Sequence, residues 1–189
     1  MGLTGVPIWG ISDKMTYLSF RLPAFIAGSG AWPAGAIAGF MGGAIEIGWI
    51  ALYQQLAGNE AAAVARGVTQ SLIPELATAP EAVPLGVAIH MTLAILLGIA
   101  IAIFVRRLLP RLVGTAMEPV VVVSMLAGVW AMNFLVILPI INPTFVELVP
   151  YGASLASKVL FGFAAAFVFW CAGRLHATMK DPQETSNVQ

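Results

Sequence analysis

Long apolar segments alternate with short polar ones along this chain, and four of the apolar segments are long enough to cross a membrane. A spanning α-helix needs roughly 20 mainly apolar residues. The pattern predicts spans over residues 33–56, 84–109, 119–141 and 152–175, and the first two begin on proline, which suits the first turn of a helix. The predicted fold is therefore all-α, an integral membrane four-helix bundle over residues 33–176.

The longest of the three links between these spans, residues 57–83, carries the signals of a short helix. Asn59 and Glu60 precede three alanines, a pattern that indicates an N-cap followed by helix formers. Pro74 and Pro80 would end such a helix, which we expect to lie on the membrane surface. The other two links are predicted to be short turns, at residues 110–118 and 142–151.

The two ends of the chain differ from the spans in pattern. Residues 15–31 are apolar but are interrupted by Arg21, Pro23 and the segment Gly28-Ser29-Gly30. This pattern favours an interfacial helix within an N-terminal lead, residues 1–32, over a fifth span. Residues 177–189 are predicted to be a disordered C-terminal tail.

Composition supports a membrane location and removes several classes of function. The 189 residues are 59% hydrophobic and only 10% charged, whereas soluble domains carry about 25% charged residues. The formal net charge of zero gives no electrostatic footprint for nucleic acid. With Cys171 as its one cysteine, a single chain can form neither an internal disulfide nor a cysteine-based metal site.

Basic residues mark one side of the predicted bundle. In a four-span arrangement seven of the nine fall on the same side: Lys14, Arg21, Arg106, Arg107, Arg111, Arg174 and Lys180. Loops rich in lysine and arginine stay in the cytoplasm, so both termini are predicted to face the cytoplasm of a multi-pass inner-membrane protein. A five-span arrangement would scatter this charge.

Small residues at four-residue spacing predict where the helices touch. Helices in lipid associate through close van der Waals contact, which small side chains permit. All four spans contain small residues. Small residues that recur every four positions are clearest in the first, second and fourth spans. The predicted helix-packing positions are Gly35, Gly39, Gly43, Gly86, Gly98 and Gly162.

Ionisable side chains inside the spans are the candidates for function, because such groups are costly in hydrocarbon. Glu46, His90 and Lys158 each lie between six and ten residues from the same side of the membrane, and each follows a small-residue ladder. They are therefore predicted to face one another at similar depth, as an intramembrane polar cluster. Asn133 in the third span lies at a similar depth and completes the predicted cluster.

The cluster has more than one interpretation. A Glu46–Lys158 pair could simply hold the helices together, since buried ion pairs can serve specificity. It could also form a proton relay or a polar ligand pocket with His90, or Lys158 could extend its ammonium group to the interface. Ser154 and Ser157 lie near the lysine but are interpreted as packing residues, so no catalytic residue is predicted.

No cofactor or metal is predicted either. The second histidine, His176, lies at the opposite end of its span from His90, so the two cannot hold one haem between them. Glu46 and His90 alone are too few ligands for a metal site.

The second and third spans carry a family resemblance. The second opens Pro84-Leu85-Gly86-Val87-Ala88-Ile89-His90 and closes on Arg106-Arg107, and the third contains Asn133, Pro139 and Asn142-Pro143. Over residues 33–175 this resembles the YagU-like proteins and related families of uncharacterised four-helix membrane proteins. The resemblance implies a bacterial inner-membrane protein without an established activity. Residues 1–31 depart from the pattern and could dock a partner.

Two functions follow as hypotheses. The first is a non-catalytic accessory or assembly subunit of a larger bacterial inner-membrane complex, respiratory or photosynthetic, because the chain has many small-residue surfaces and almost no soluble part. The alternative is a small transporter or proton-conducting protein that uses the polar cluster. The expected partners are membrane lipids and other membrane subunits, with self-association through the glycine face of the first span as a further route.

Overall fold

The computed structural model describes residues 31–180, with side chains through residue 174, and the described part is built of helices without strands. Single 3₁₀ turns at Pro74–Leu76 and Pro110–Leu112 connect the helices. In chain order the helices are α1 Ala31–Leu56, α2 Ala61–Leu72, α3 Ala82–Leu108, α4 Met117–Ile141, α5 Pro143–Leu148 and α6 Tyr151–Lys180.

Four of these helices are long and apolar enough to cross a membrane: α1, α3, α4 and the Tyr151–Arg174 part of α6. The protein is therefore a multi-pass, all-α membrane protein with a four-helix bundle, which confirms the predicted fold class. The spans begin one or two residues before their predicted starts and end close to the predicted ends in α1, α3 and α4.

The ends of the described chain require one correction. Helix α6 continues to Lys180, so residues 177–180 are helical and do not belong to a disordered tail. The predicted interfacial helix within residues 1–32 and the rest of the predicted tail lie outside the described residues.

The start of α2 also differs from the prediction by one residue. Glu60 is the N-cap, while the side-chain amide of Asn59 donates to Gln54 Oε1 at 3.0 Å. Asn59 is held in this position because Gly58, with φ of +75°, closes α1 in a left-handed turn. The backbone N–H groups of Gly58 and Asn59 then bond to the carbonyls of Gln55 and Gln54, the pattern of a Schellman cap.

The four spans run alternately up and down, and their neighbour relations are unequal. Helix α1 packs extensively against α3 and α6, and α6 packs against α4, whereas α3 and α4 share few contacts. We call the end that carries Arg106, Arg107, Arg111 and Arg174 the basic end. We call the opposite end, which α2 and α5 cover, the capped end.

The backbones of α1 and α3 meet through glycine. A Cβ added to Gly35 would lie 2.6 Å from Ile99 Cα, and one added to Gly39 would lie 2.6 Å from Ile95 Cα. From the other helix, a Cβ on Gly98 would lie 2.6 Å from Gly39 Cα. Real side chains do not tolerate such distances, so this crossing needs glycine at all three positions.

The other predicted packing glycines are used in different ways. A Cβ on Gly43 would lie 2.7 Å from Ala94 Cβ, which continues the α1–α3 contact, and one on Gly162 would approach Val123 of α4. Gly86 contacts the carbonyl of Ala65 in the surface helix α2, and not another span.

A further glycine, Gly42, was not among the predicted packing positions. A Cβ at this position would lie 2.5 Å from the ring of Phe161, so Gly42 brings α1 against α6. Together Gly42 and Gly43 let α1 contact two neighbouring helices on adjacent faces.

The half of the bundle next to the basic end is solidly packed. A core of buried apolar side chains joins α3, α4 and α6 there, including Ile101, Val105, Val122, Leu126, Phe161 and Phe169. This core brings α3 and α4 together near the basic end, where burial of large side chains from water or lipid stabilises the bundle.

The capped end is held by side-chain hydrogen bonds to backbone carbonyls. The buried Gln54 donates to the Leu148 carbonyl at 2.8 Å, which connects α1 to α5. Asn142 donates to the Gly67 carbonyl at 3.2 Å and to Ser71 Oγ at 2.9 Å, which connects the end of α4 to α2. These bonds fix α2 and α5 as a lid over the spans.

Helix α4 is irregular just before its proline. Residues Asn133–Ile137 form a π-helical turn, and the N–H of Leu138 bonds to the Asn133 carbonyl five residues back. Pro139 lacks an N–H and its ring crowds the preceding turn, so the wider turn relieves this conflict. Such π turns are frequent at functional sites.

The glycine crossing generates a test of the fold. Gly39→Ala should lower the thermal unfolding temperature of the purified protein in detergent, because the new methyl group would force α1 and α3 apart at a cost of about 1–3 kcal/mol. Gly48→Ala is the matched control on the same helix, since a Cβ there meets open space. The control should melt at or slightly above the wild-type temperature, and equal melting of both variants would contradict this account of the crossing.

Candidate functional site

An ion pair between α1 and α6 lies at the centre of the predicted polar cluster. Lys158 Nζ donates to Glu46 Oε2 at 2.7 Å, and both side chains are largely buried. Glu46 faces the bundle because it lies three residues after Gly43, on the face that the glycines bring against α3. A carboxylate in this position needs a compensating charge, and the ammonium group supplies it.

Ser157 adds a second polar contact to the same carboxylate. Its hydroxyl lies 3.1 Å from Glu46 Oε1 and 2.7 Å from the Ser154 carbonyl. A hydroxyl has one hydrogen to donate, so donation to Glu46 suits the ionised carboxylate. Donation to Ser154 instead leaves the Ser157 oxygen free to accept a hydrogen bond from another group.

His90 completes the cluster from α3 but does not bond to it. Its Nε2 lies 3.6 Å from Glu46 Oε2, too far for a hydrogen bond. This nitrogen is buried and has no hydrogen-bond partner among the described residues. Since buried polar atoms are usually paired, His90 Nε2 is a buried atom of this cluster with unused bonding capacity.

Asn133 lies in the same region without joining the ion pair. It begins the π-helical turn of α4 and lines a cavity that lies beside the ion pair. Its side chain makes no hydrogen bond to Glu46, His90 or Lys158 within the described part of the chain. The structure thus brings three of the four predicted cluster residues into direct proximity, while the fourth lines the same cavity from α4.

A cavity of about 440 Å³ opens beside this cluster, in the half of the bundle next to the capped end. This volume lies within the range of ~300–1,000 Å³ that is typical of small-molecule sites. Its polar lining comes from Glu46, Ser71, His90, Asn133, Ser154, Ser157 and Lys158. The rest of the lining is apolar and comes from α1 to α5 and from Val149, which follows α5, with α2 and α5 as the lid.

The contribution of α2 to this cavity was missed in the sequence analysis. Ala61, Val64, Ala65 and Val68 line the cavity from one face of the helix, and their spacing of three and four residues is the amphipathic signal that could have revealed it. The opposite face carries exposed residues such as Arg66.

Hydrogen bonds from tryptophan fix the wall formed by α6. Trp130 of α4 donates to Ser154 Oγ at 2.9 Å, and Trp49 of α1 donates to the Ala153 carbonyl at 3.0 Å. These bonds hold the start of α6 between α1 and α4, one turn before Lys158. The polar cluster is therefore supported from two neighbouring helices.

The arrangement suits the binding of an amphipathic molecule better than catalysis. Most of the polar lining gathers around the Glu46–Lys158 ion pair, and most of the remaining lining is apolar, as in sites that orient a ligand by a polar group. Within residues 31–174 no three histidine, cysteine or acidic side chains come close enough together to hold a metal ion.

Comparison of the chain with protein-family models, with curated proteins and with solved structures finds no match.

The ion pair can be tested by single and double substitution. Lys158→Met leaves the Glu46 carboxylate without a counter-charge and should destabilise the protein by about 3–5 kcal/mol. The double variant Glu46→Gln/Lys158→Met removes both charges and should recover most of this loss, as measured by thermal unfolding in detergent. A double variant that is no more stable than Lys158→Met would contradict a paired role for the two charges.

Proposed function

We propose that this protein is a small membrane transporter or carrier that binds an amphipathic small molecule in the cavity beside Glu46, His90 and Lys158. The observation that carries the proposal is the cavity itself, about 440 Å³ in volume, with Glu46, His90 and Lys158 together in its lining and mostly apolar side chains elsewhere. A bundle that needed the ion pair only for assembly would have no reason to leave such a space beside it.

Binding is better supported than proton conduction through the chain. The cluster lies in the capped half, and the basic half is filled by the apolar core around Ile101, Val105, Val122 and Leu126. A proton path needs polar stations at both depths, and this core supplies none. A transport cycle would therefore require α3 and α4 to separate near the basic end.

The accessory-subunit hypothesis is weakened, because the small-residue surfaces that motivated it are used within the chain. Its motivation was a surplus of small-residue surfaces, but Gly35, Gly39, Gly43 and Gly98 are occupied in contacts within the chain. These glycines are consequently not free to bind another subunit or a second copy. The accessory role, and with it the resemblance to uncharacterised four-helix families, stays a prediction from sequence.

We also propose a bacterial inner-membrane location with the basic end in the cytoplasm. Four described arginines lie at that end, and positive charge is retained on the cytoplasmic side. At the capped end the described basic residue outside the spans, Arg66, is paired with Glu60 at 3.0 Å. This pairing offsets its charge, and the guanidinium lowers the pKa of the Glu60 carboxyl.

The binding function can be tested by what the protein retains. Protein purified in mild detergent should carry an extractable amphipathic molecule at near one per chain, detected by mass spectrometry. The variant Glu46→Gln/Lys158→Met should retain on the order of tenfold less, since it keeps the fold and loses the charged pair that orders the polar lining beside His90. Thr92→Ala is the control, because within residues 31–174 the Thr92 hydroxyl bonds to the backbone of its own helix at Ala88 and to no cavity residue.

Equal amounts of the same molecules in wild type and double variant would contradict the proposed site. Stoichiometric recovery of a larger membrane complex instead, with an empty cavity, would favour the accessory role.

The orientation is tested by labelling single cysteines. In a Cys171→Ala background, Thr78→Cys lies at the capped end and Ala116→Cys at the basic end, and both positions are exposed. A membrane-impermeant maleimide applied to intact cells should label Thr78→Cys alone, and Ala116→Cys only after the inner membrane is permeabilised. The reverse pattern would overturn the proposed orientation.

A further inference from the structure

The mouth of the cavity is apolar. Among the residues that line the cavity, the exposed ones are Leu72 of α2, Val87 and Leu93 of α3, and Ile141 of α4. A mouth that opened to water would be expected to carry polar groups at its rim, because exposed polar side chains cost little there. A rim of leucine, valine and isoleucine is suited to contact with hydrocarbon.

The position of this mouth follows from the unequal packing of α3 and α4. The two helices share a core near the basic end, where Val105 and Val122 are both buried. Toward the capped end the cavity separates them, with His90 on one wall and Phe134 on the other. The gap lies between two membrane-spanning helices, so it opens sideways, toward the bilayer.

Entry from the capped end is obstructed by the lid. Asn142 ties the end of α4 to α2 through Gly67 and Ser71, and Phe145 of α5 packs on Gly67. In the same part of α2, between these two residues, Thr69 donates to the Ala82 carbonyl at 2.6 Å, which holds α2 against the start of α3. Opening this lid would break several hydrogen bonds at once, whereas the side gap is already open.

The charge of the site restricts the polar group of the ligand. Glu46 and Lys158 neutralise each other at 2.7 Å, so the cluster offers no unbalanced charge to an ionic ligand. A charged group placed here would lose hydration without finding a counter-charge, which is strongly unfavourable. His90 Nε2 has its bonding capacity free, and it can donate to a carbonyl or accept from a hydroxyl.

We propose that the ligand is a bilayer-dissolved molecule with an apolar chain and an uncharged hydroxyl or carbonyl group, and that it enters sideways between α3 and α4. Its polar group bonds to His90 Nε2, and its chain occupies the apolar part of the cavity beneath α2. This inference rests on the proposed binding function, and adds to it the class of ligand and the route of entry.

The ligand class is tested with three photoactivatable probes that share one long alkyl chain and differ in their polar group. The probes carry a hydroxyl, a carboxylate or a trimethylammonium group, and are added to the protein in lipid vesicles. The alcohol should label peptides from the cavity on the order of tenfold more than either charged probe. Equal or stronger labelling by a charged probe would overturn the inferred ligand class.

The bond to His90 is tested by removing its nitrogen atoms. His90→Phe keeps a ring of similar shape, so the unfolding temperature should hold or rise once the unpaired polar atom is gone. Labelling by the alcohol should fall to near that of the charged probes. Unchanged labelling by the alcohol would overturn the role of His90.

The route is tested by narrowing the mouth. Leu93→Trp and Val87→Trp place a bulky side chain at the rim and should slow labelling by the alcohol on the order of tenfold. Leu96→Trp is the matched control, because Leu96 is exposed on the same helix and does not line the cavity. Unfolding temperatures near wild type for all three variants establish that each is folded.

Different outcomes of these experiments would contradict the entry route and the binding function. Labelling of the cavity that both rim variants leave unchanged would overturn sideways entry and preserve the binding function. Absence of cavity labelling by every probe, together with no retained molecule in the purified protein, would overturn the binding function itself.

Discussion

Helices α1 and α3 touch through their backbones at Gly35, Gly39 and Gly98, and no Cβ fits into this contact. The position of the polar cluster depends on it. Because α1 lies so close to α3, the carboxylate of Glu46, three residues beyond Gly43, comes within 3.6 Å of His90. The adjacent Gly42 admits Phe161 and so brings α6 against α1, which places the lysine three residues earlier against the same carboxylate.

The two halves of the bundle have different physical roles. Near the basic end, large apolar side chains fill the interior and hold α3, α4 and α6 together. Near the capped end α3 and α4 separate, the backbone of α4 widens into a π turn before Pro139, and surface helices cover the space. The packed half anchors the spans, and the hollow half leaves room for the proposed ligand.

The ion pair shows how a membrane protein tolerates charge. Glu46 and Lys158 are each expensive alone, but as a pair with Ser157 they present a nearly neutral polar surface. His90 is left outside this arrangement, and one buried nitrogen of its ring has no hydrogen-bond partner in the part of the chain that the structure describes. Unpaired buried polar atoms are uncommon, and this one faces a cavity, so a ligand atom is the natural partner.

The sequence by itself determined the four spans, because the length of an apolar segment is a local property and the thickness of the bilayer sets the length that a span needs. It also indicated Glu46, His90 and Lys158 as neighbours, since small-residue ladders set their facing and distance along the helix set their depth. Only the tertiary structure decided that α3 and α4 part near the capped end, that α2 closes the cavity and that Asn133 stands apart from the ion pair. These features depend on contacts between residues far apart in the chain, such as Asn142 with Gly67, and a local pattern of polarity does not specify which distant surfaces meet.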